Sequence, residues 1–238
     1  MHYPRSQTYD ETLVRAKIMG PNPLKLEEEL LQNHPLPTGA VVLDLGSGMG
    51  LTSVFLVREY GFRVFAADLW SDPAENRKFF KEMGLSDAEI TPVHADAHAL
   101  PFENDFFDAV VSIDSYHYFG REPDYLDRHL LPLVKQGGRV YLAVPGMKKD
   151  CHDDLPPELL LSWTPEDLET IHDVTYWKKM LSHTRRAEVL SVHEMESNEE
   201  CWADWLACDN PYAVGDRKTM AAGGGKYLNF IAMHLQKK

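Results

Sequence analysis

The sequence predicts an α/β fold, a mostly parallel sheet with helices on both faces, and three observations predict it. Apolar runs of strand length alternate with stretches of helical periodicity from residue 40 to residue 144. The first of those runs, 40–45, is apolar in almost every position, as a strand buried on both faces is. Glycine or proline punctuates the changeovers at Gly46, Gly61, Gly84, Gly137-Gly138 and Pro145-Gly146.

The first segment, residues 2–20, is mixed polar and aromatic. Asn22 and Pro23 then supply an N-cap and a first helical residue, and Leu26, Leu30 and Leu31 form one apolar face. Glu27, Glu28 and Glu29 suit the positive end of that helix dipole. After a Pro-rich break at 34–38, a strand is expected over 40–45, a helix over 51–60 stopped by Gly61, and a strand over 63–68. A helix over 73–83, strands over 90–95 and 107–114, a helix over 125–134 and a strand over 139–144 complete the alternation. Beyond Gly146 the pattern loosens: helices near 165–171 and 176–183, a strand over 187–195, a helix over 199–208, a loop over 209–225 and a final strand over 227–235. No internal repeat interrupts this order. The 238 residues, 44% of them hydrophobic, suffice for one domain. Its parts are an N-terminal lid and helix (1–38), a ligand-binding core (39–146), substrate-side helices (147–225) and the last strand (226–238).

Charge and composition exclude several function classes. With 24 Lys and Arg against 37 Asp and Glu, the net charge is −13, and no basic run is present to neutralise a phosphate backbone, so no nucleic-acid partner is expected. Cys151, Cys201 and Cys208 are an odd set without a pairing pattern, as reduced cytoplasmic thiols are. No apolar run approaches the roughly 20 residues that span a bilayer, and residues 1–10 lack the features of a leader. A cytoplasmic protein without membrane insertion is expected.

The chemistry-bearing segment is Val41-Val42-Leu43-Asp44-Leu45-Gly46-Ser47-Gly48-Met49-Gly50, a glycine-rich turn between a buried strand and a helix. Glycines let the backbone approach a ligand, and the helix N-terminus offers free N–H groups. Asp68 ends the next strand, about 20 residues on, where a carboxylate can accept hydrogen bonds from a ribose. A nicotinamide fingerprint needs glycine at position 51, and Leu51 stands there. Asp44 would repel a pyrophosphate and suits a cationic ligand without phosphate.

Asp44 with Gly46, Gly48 and Gly50, then Asp68, then Asp96-Ala97, then the segment 112–119 occur in an order that resembles the class I S-adenosylmethionine-dependent methyltransferases, especially the branch with the ubiquinone and menaquinone C-methyltransferases. The resemblance covers 39–146. It implies a Rossmann-like class I methyltransferase sheet whose last strand is antiparallel, with an α-helical insertion covering the substrate. It also implies S-adenosyl-L-methionine as cofactor. Asp44, Gly46, Ser47, Gly48 and Gly50 would surround its methionine part and Asp68 its ribose. Asp96 would take the adenine amine and the Ala97 amide would face the ring, with Leu69, Trp70 and His98 as walls. Ile113 and Asp114 would touch the cofactor.

Methyl transfer from a sulfonium gains mostly from positioning and needs no metal. An acceptor that must lose a proton needs a base; His117 is the first candidate and Asp114 the second, with plain packing the competing reading of His117. The string His94-Ala95-Asp96-Ala97-His98 has metal-ligand residues, but alternating strand-end side chains need a third element to converge, so no metal is expected. The acceptor, a small molecule, is expected to meet Tyr116, Tyr118, His172, Tyr176 and Trp177; Trp202 and Trp205, three apart on a helix, read as packing. A flat apolar or a cationic acceptor fits such aromatics, and a homodimer is left open.

Overall fold

The structure is a computed structural model that describes residues 3–238; Met1 and His2, which open the stretch read as lacking a leader, lie outside the described residues. Seven strands form one sheet: β1 (Val41–Leu45), β2 (Arg63–Asp68), β3 (Ile90–His94), β4 (Phe107–Ile113), β5 (Val134–Met147), β6 (Ala187–Glu194) and β7 (Leu228–Lys237). Their order is β3-β2-β1-β4-β5-β7-β6. The first five are parallel and β7 runs antiparallel between β5 and β6. The chain reverses its direction of travel across the sheet between β1 and β4, which places a crevice at the C-terminal ends of those strands.

Side-chain alternation divides the core in two. On one face Val42, Ala109, Val111, Tyr141 and Ala143 pack beneath α2 (Pro23–Leu31), α3 (Leu51–Tyr60), α4 (Pro73–Glu82) and α7 (Asn198–Leu206). On the other, Leu43, Leu45, Val110, Val140 and Leu142 meet Tyr116, Tyr125, Leu130 and Trp177. No helix among the described residues is long and apolar enough to cross a membrane.

Several elements lie where the sequence places them, notably α3 over Leu51–Tyr60 and β2 over Arg63–Asp68. Others differ, each for a physical reason. The expected loop 209–225 contains an α-helix, Pro211–Ala221, started by the Asn210 side chain accepting from the Tyr212 N–H at 2.9 Å. Gly215 and the absence of an apolar stripe obscure it. A further helix, α1 (Glu11–Lys17), begins at Asp10, whose carboxylate accepts from the Leu13 N–H. The expected helix 125–134 is instead a widened turn over Leu126–Leu130 followed by a tight one over Leu131–Leu133, because Pro132 has no N–H to donate. β5 runs on through Pro145-Gly146. By then β4 has ended, at Ile113 opposite Ala143, so the missing proline N–H faces no neighbouring strand.

The three consecutive glutamates of α2 do more than face a dipole. Glu28 accepts hydrogen bonds from the backbone N–H groups of Arg5 and Ser6, at 3.0 and 2.8 Å. Glu29 accepts from the N–H groups of Glu196 and Ser197, both at 2.8 Å, and from the Tyr3 hydroxyl at 3.1 Å. Both carboxylates thus tie distant segments to α2. Glu29→Ala is expected to destabilise the protein by about 2 kcal/mol in urea denaturation, because it leaves N–H donors near α7 without their charged acceptor. A change below about 0.5 kcal/mol would contradict this role.

Candidate active site

The turn from β1 to α3 is built from backbone. Gly46, Gly48 and Gly50 all take left-handed conformations, with φ of +81°, +50° and +81°. The space around two of them is closed to side chains: a Cβ on Gly46 would lie 2.0 Å from the Ser115 Oγ, and one on Gly50 would lie 2.4 Å from the Phe80 ring. The N–H groups of Gly46 and Ser47 donate to the Ala67 carbonyl, at 2.8 and 3.2 Å. That of Gly48 donates to the Asp68 Oδ2 at 2.9 Å, and Asn76 Nδ2 holds the Gly48 carbonyl at the same distance. The other Asp68 oxygen, Oδ1, accepts from the N–H groups of Trp70 and Ser71 at 2.8 and 2.7 Å. One carboxylate therefore joins the turn to the loop after β2.

Asp44 lies beneath the turn, fully buried. Its Oδ2 accepts from the Thr52 and Ser53 hydroxyls at 2.7 and 2.5 Å, while Oδ1 has no partner. Burial pushes its carboxyl up to about 6, against the pull of the two hydroxyls. Glu27 of α2 is buried beside it with neither carboxylate oxygen hydrogen-bonded, and burial and the Asp44 charge raise its carboxyl well above the usual range.

A cleft of about 190 Å³ opens over this turn. Gly46, Ser47, Gly48, Asp68 and Trp70 line one side, and Ile113, Asp114, Ser115 and Tyr118 another. The third wall comes from the chain between α1 and α2, including Ile18, Met19, Gly20 and Pro21. Lys17 also lines it, with its ammonium 4.2 Å from the centroid of the Phe79 ring. Met19, Trp70 and Tyr118 are exposed at the cleft, the last two in edge contact at 5.8 Å. Sequence reasoning missed Asn76 and residues 17–21; neither carries a motif. Ser115, inside the segment 112–119, has a use the sequence does not show: with Ser112 it donates to the Leu45 carbonyl, each at 2.8 Å.

The candidate bases occupy different places. Asp114 lines the cleft from a left-handed backbone position, φ +54°, with Gly20 against its carboxylate, where a Cβ would come within 2.4 Å of Oδ2. Loss of hydration, and then the Asp216 charge, push its carboxyl up to about 7. His117 does not line the cleft: it is 2% exposed, Nδ1 has no hydrogen-bond partner, and burial and the nearby Arg121 lower its pKa to about 3. Of the two candidates only Asp114 lines the cleft.

The adenine-side residues are more dispersed. Asp96 is exposed, and its Oδ1 accepts from the His98 N–H at 2.8 Å; the Ala97 carbonyl accepts from the Tyr125 hydroxyl at 3.0 Å. The Leu69 carbonyl lies 2.9 Å from His94 Nε2. His94, Asp96 and His98 do not form a ligating group among the described residues. Of the acceptor-side aromatics only Tyr118 lines the cleft. Tyr116 and Trp177 are fully buried core rings, 5.8 Å apart, and His172 stacks on Tyr176 at 3.5 Å outside it. Trp202 and Trp205 are buried, as packing requires.

With the geometry in place, residues 42–138 match the family model described as a methyltransferase domain. The matched stretch includes the glycine-rich turn, Asp68 and Asp114. The sarcosine/dimethylglycine N-methyltransferase of Aphanothece halophytica is 30% identical to this chain over 116 residues, covering 48% of this chain and 41% of that one. The demethylmenaquinone methyltransferase of Clavibacter sepedonicus is 35% identical over 105 residues, 44% of this chain and 41% of its own. The chain spans less than half the length of these relatives. In fold it is similar to the structure of a putative sarcosine dimethylglycine methyltransferase from Galdieria sulphuraria, with a TM-score of 0.68 and 19% identity over 90% of this chain and 86% of that one.

The buried Asp44 makes a pH-dependent prediction. Its folded pKa of about 6 lies above its ordinary value, so the native state holds the proton more tightly and stability falls as pH rises from about 4 through 6. Asp44→Asn is expected to stabilise the ligand-free protein by about 2 kcal/mol at pH 8 and by nothing at pH 3, read from denaturant curves at the two values. Equal effects at both would contradict it.

Proposed function

We propose that the chain is an enzyme that binds S-adenosyl-L-methionine in this cleft and transfers its methyl group to a small molecule. The observation that carries the reading is the continuity of one cleft from the glycine turn and Asp68 to Asp114 and Tyr118. The residues fit this donor. Asp44 keeps a buried oxygen without a partner, and at Gly48, which lines the cleft, a Cβ would meet nothing nearer than the Met19 sulfur at 4.0 Å, so that glycine leaves room over the turn. When bound, the donor supplies a methyl group on positively charged sulfur, open to in-line displacement.

The chain's own groups do the rest. Asp68, already an acceptor for three N–H groups, stands where ribose hydroxyls can replace or add to them. Asp44, buried beneath the turn and ionised above about pH 6, favours a cation over the turn. Asp114 is matched to accept a proton from the acceptor near neutrality. Residues 1–38 and 147–225 would cover the acceptor side, with Tyr118 as its aromatic contact. The amine- and quinone-methylating relatives support a small acceptor, the net charge of −13 disfavours RNA, and the three unpaired cysteines suit a reducing cytoplasm.

Calorimetry is expected to show saturable binding of S-adenosylmethionine and of its demethylated product, at least about tenfold weaker in Asp68→Ala, and no saturable binding of NAD. Binding without any methylated product in an acceptor screen read by mass spectrometry would replace the enzyme with a sensor. For an acceptor that loses a proton, Asp114→Asn is expected to lower kcat by about 100-fold and to remove the rise in rate through pH 7, while His117→Gln keeps that rise. A rise lost only in His117→Gln would return the base to His117.

A further inference from the structure

A second cluster of reactive side chains lies outside the cleft. Asp150 and His152 follow β5, and His172 precedes α6 (Val174–Leu181). Backbone brings them together: the Met147 N–H donates to the His172 carbonyl at 3.2 Å, and Gly146 bridges to His172. One ligating atom from each of the three lies within 4.8 Å of the other two. His152 Nδ1 is 2.8 Å from Asp150 Oδ1, and His172 Nδ1 is 3.8 Å from Asp150 Oδ2.

The hydrogen bonds around the cluster leave two imidazole nitrogens beside one carboxylate. His152 Nε2 lies 3.0 Å from the Leu168 carbonyl, an acceptor only, so Nε2 must carry the proton. In the neutral ring that aims the Nδ1 lone pair at a carboxylate oxygen. His172 Nδ1 is buried without a hydrogen-bond partner, and its ring is fixed by stacking on Tyr176 at an interplanar angle of 10°. A proton on His152 would satisfy one of these nitrogens and leave the other. A divalent ion satisfies both imidazoles and the carboxylate at once.

We propose that Asp150, His152 and His172 bind one first-row divalent metal ion of the zinc type. Two imidazoles and one carboxylate form a donor set suited to that class, and an imidazole whose other nitrogen donates to a backbone carbonyl is the usual support of a metal ligand. Donors around tetrahedral zinc stand about 3.3 Å apart for bonds of about 2.0 Å, and the 2.8 and 3.8 Å separations bracket that spacing. Three protein donors leave one position for water. The Cys151 thiol, although adjacent in sequence, turns to the Met147 sulfur at 3.4 Å and is not part of the set. The ion would fasten the segment after β5 to the start of α6, and the site stands whether or not the cleft transfers methyl groups.

The test uses the untagged full chain, stripped with chelator and dialysed against zinc or cobalt(II) without any methyl donor. About one ion per chain is expected to survive desalting, with the visible absorption of low-coordinate cobalt. His152→Gln, His172→Gln and Asp150→Asn are each expected to weaken binding at least about tenfold while keeping the metal-free circular dichroism of the parent. Zinc is also expected to shift the imidazole resonances of His152 and His172 in the unaltered protein, a readout that needs no variant. Less than about 0.2 ion per chain, unmoved imidazole resonances, or full binding by the His152→Gln, His172→Gln double variant would each overturn the proposal.

Discussion

The Asp68 carboxylate is the constraint on which the site depends. By accepting from Gly48 on one side and from Trp70 and Ser71 on the other, it fixes the β1–α3 turn against the end of β2. The turn needs that hold because its three left-handed glycines have little conformational preference of their own. Once the turn is fixed, α3 starts at Leu51, its first N–H groups face the crevice, and the sheet order leaves that crevice open between β1 and β4. The cleft is a product of topology and the turn together.

Around this frame the chain spends stability on negative charge. Asp44 and Glu27 are buried acids and Asp114 a half-buried one in the cleft wall; loss of hydration raises all three carboxyls, and Asp44 and Glu27 keep oxygens without hydrogen bonds. Such groups oppose folding of the ligand-free protein at neutral pH, and a cationic ligand would relieve part of that opposition. Glu28 and Glu29, from the same helix turn as Glu27, instead accept from backbone N–H groups of the N-terminal segment and of the approach to α7. Three adjacent identical residues thus have opposite energetic roles, decided by what lies opposite each.

Much of the frame was legible in the sequence because its signals are local. Gly61 ends α3 where the glycine stands, with its N–H on the Val57 carbonyl, and the mainly apolar runs 41–45 and 107–113 are buried strands. Asp68 was legible from its place at a strand end. What stayed hidden depends on contacts across the chain. Nothing near Asn76 announces that it holds Gly48, and nothing near Gly20 announces that it touches Asp114. Trp177 resembles a ligand residue in its segment, yet ring packing of its helix against Tyr116 buries it. The cluster of Asp150, His152 and His172 is invisible to spacing rules because its two halves lie 20 positions apart in sequence and are joined by a backbone bridge. The helix Pro211–Ala221 is the opposite case: its Asn-Pro start repeats that of α2, and only its lack of an apolar face conceals it.

The central claim is that one cleft, floored by the turn and walled by the chain between α1 and α2, holds the methyl donor. Hydrogen–deuterium exchange with and without S-adenosylhomocysteine tests it most directly, since it reads the backbone of each wall in the unaltered protein. The account predicts slowed exchange in peptides covering 17–21, 46–50 and 68–71. No slowing there at saturating ligand, or slowing confined to other segments, would contradict it.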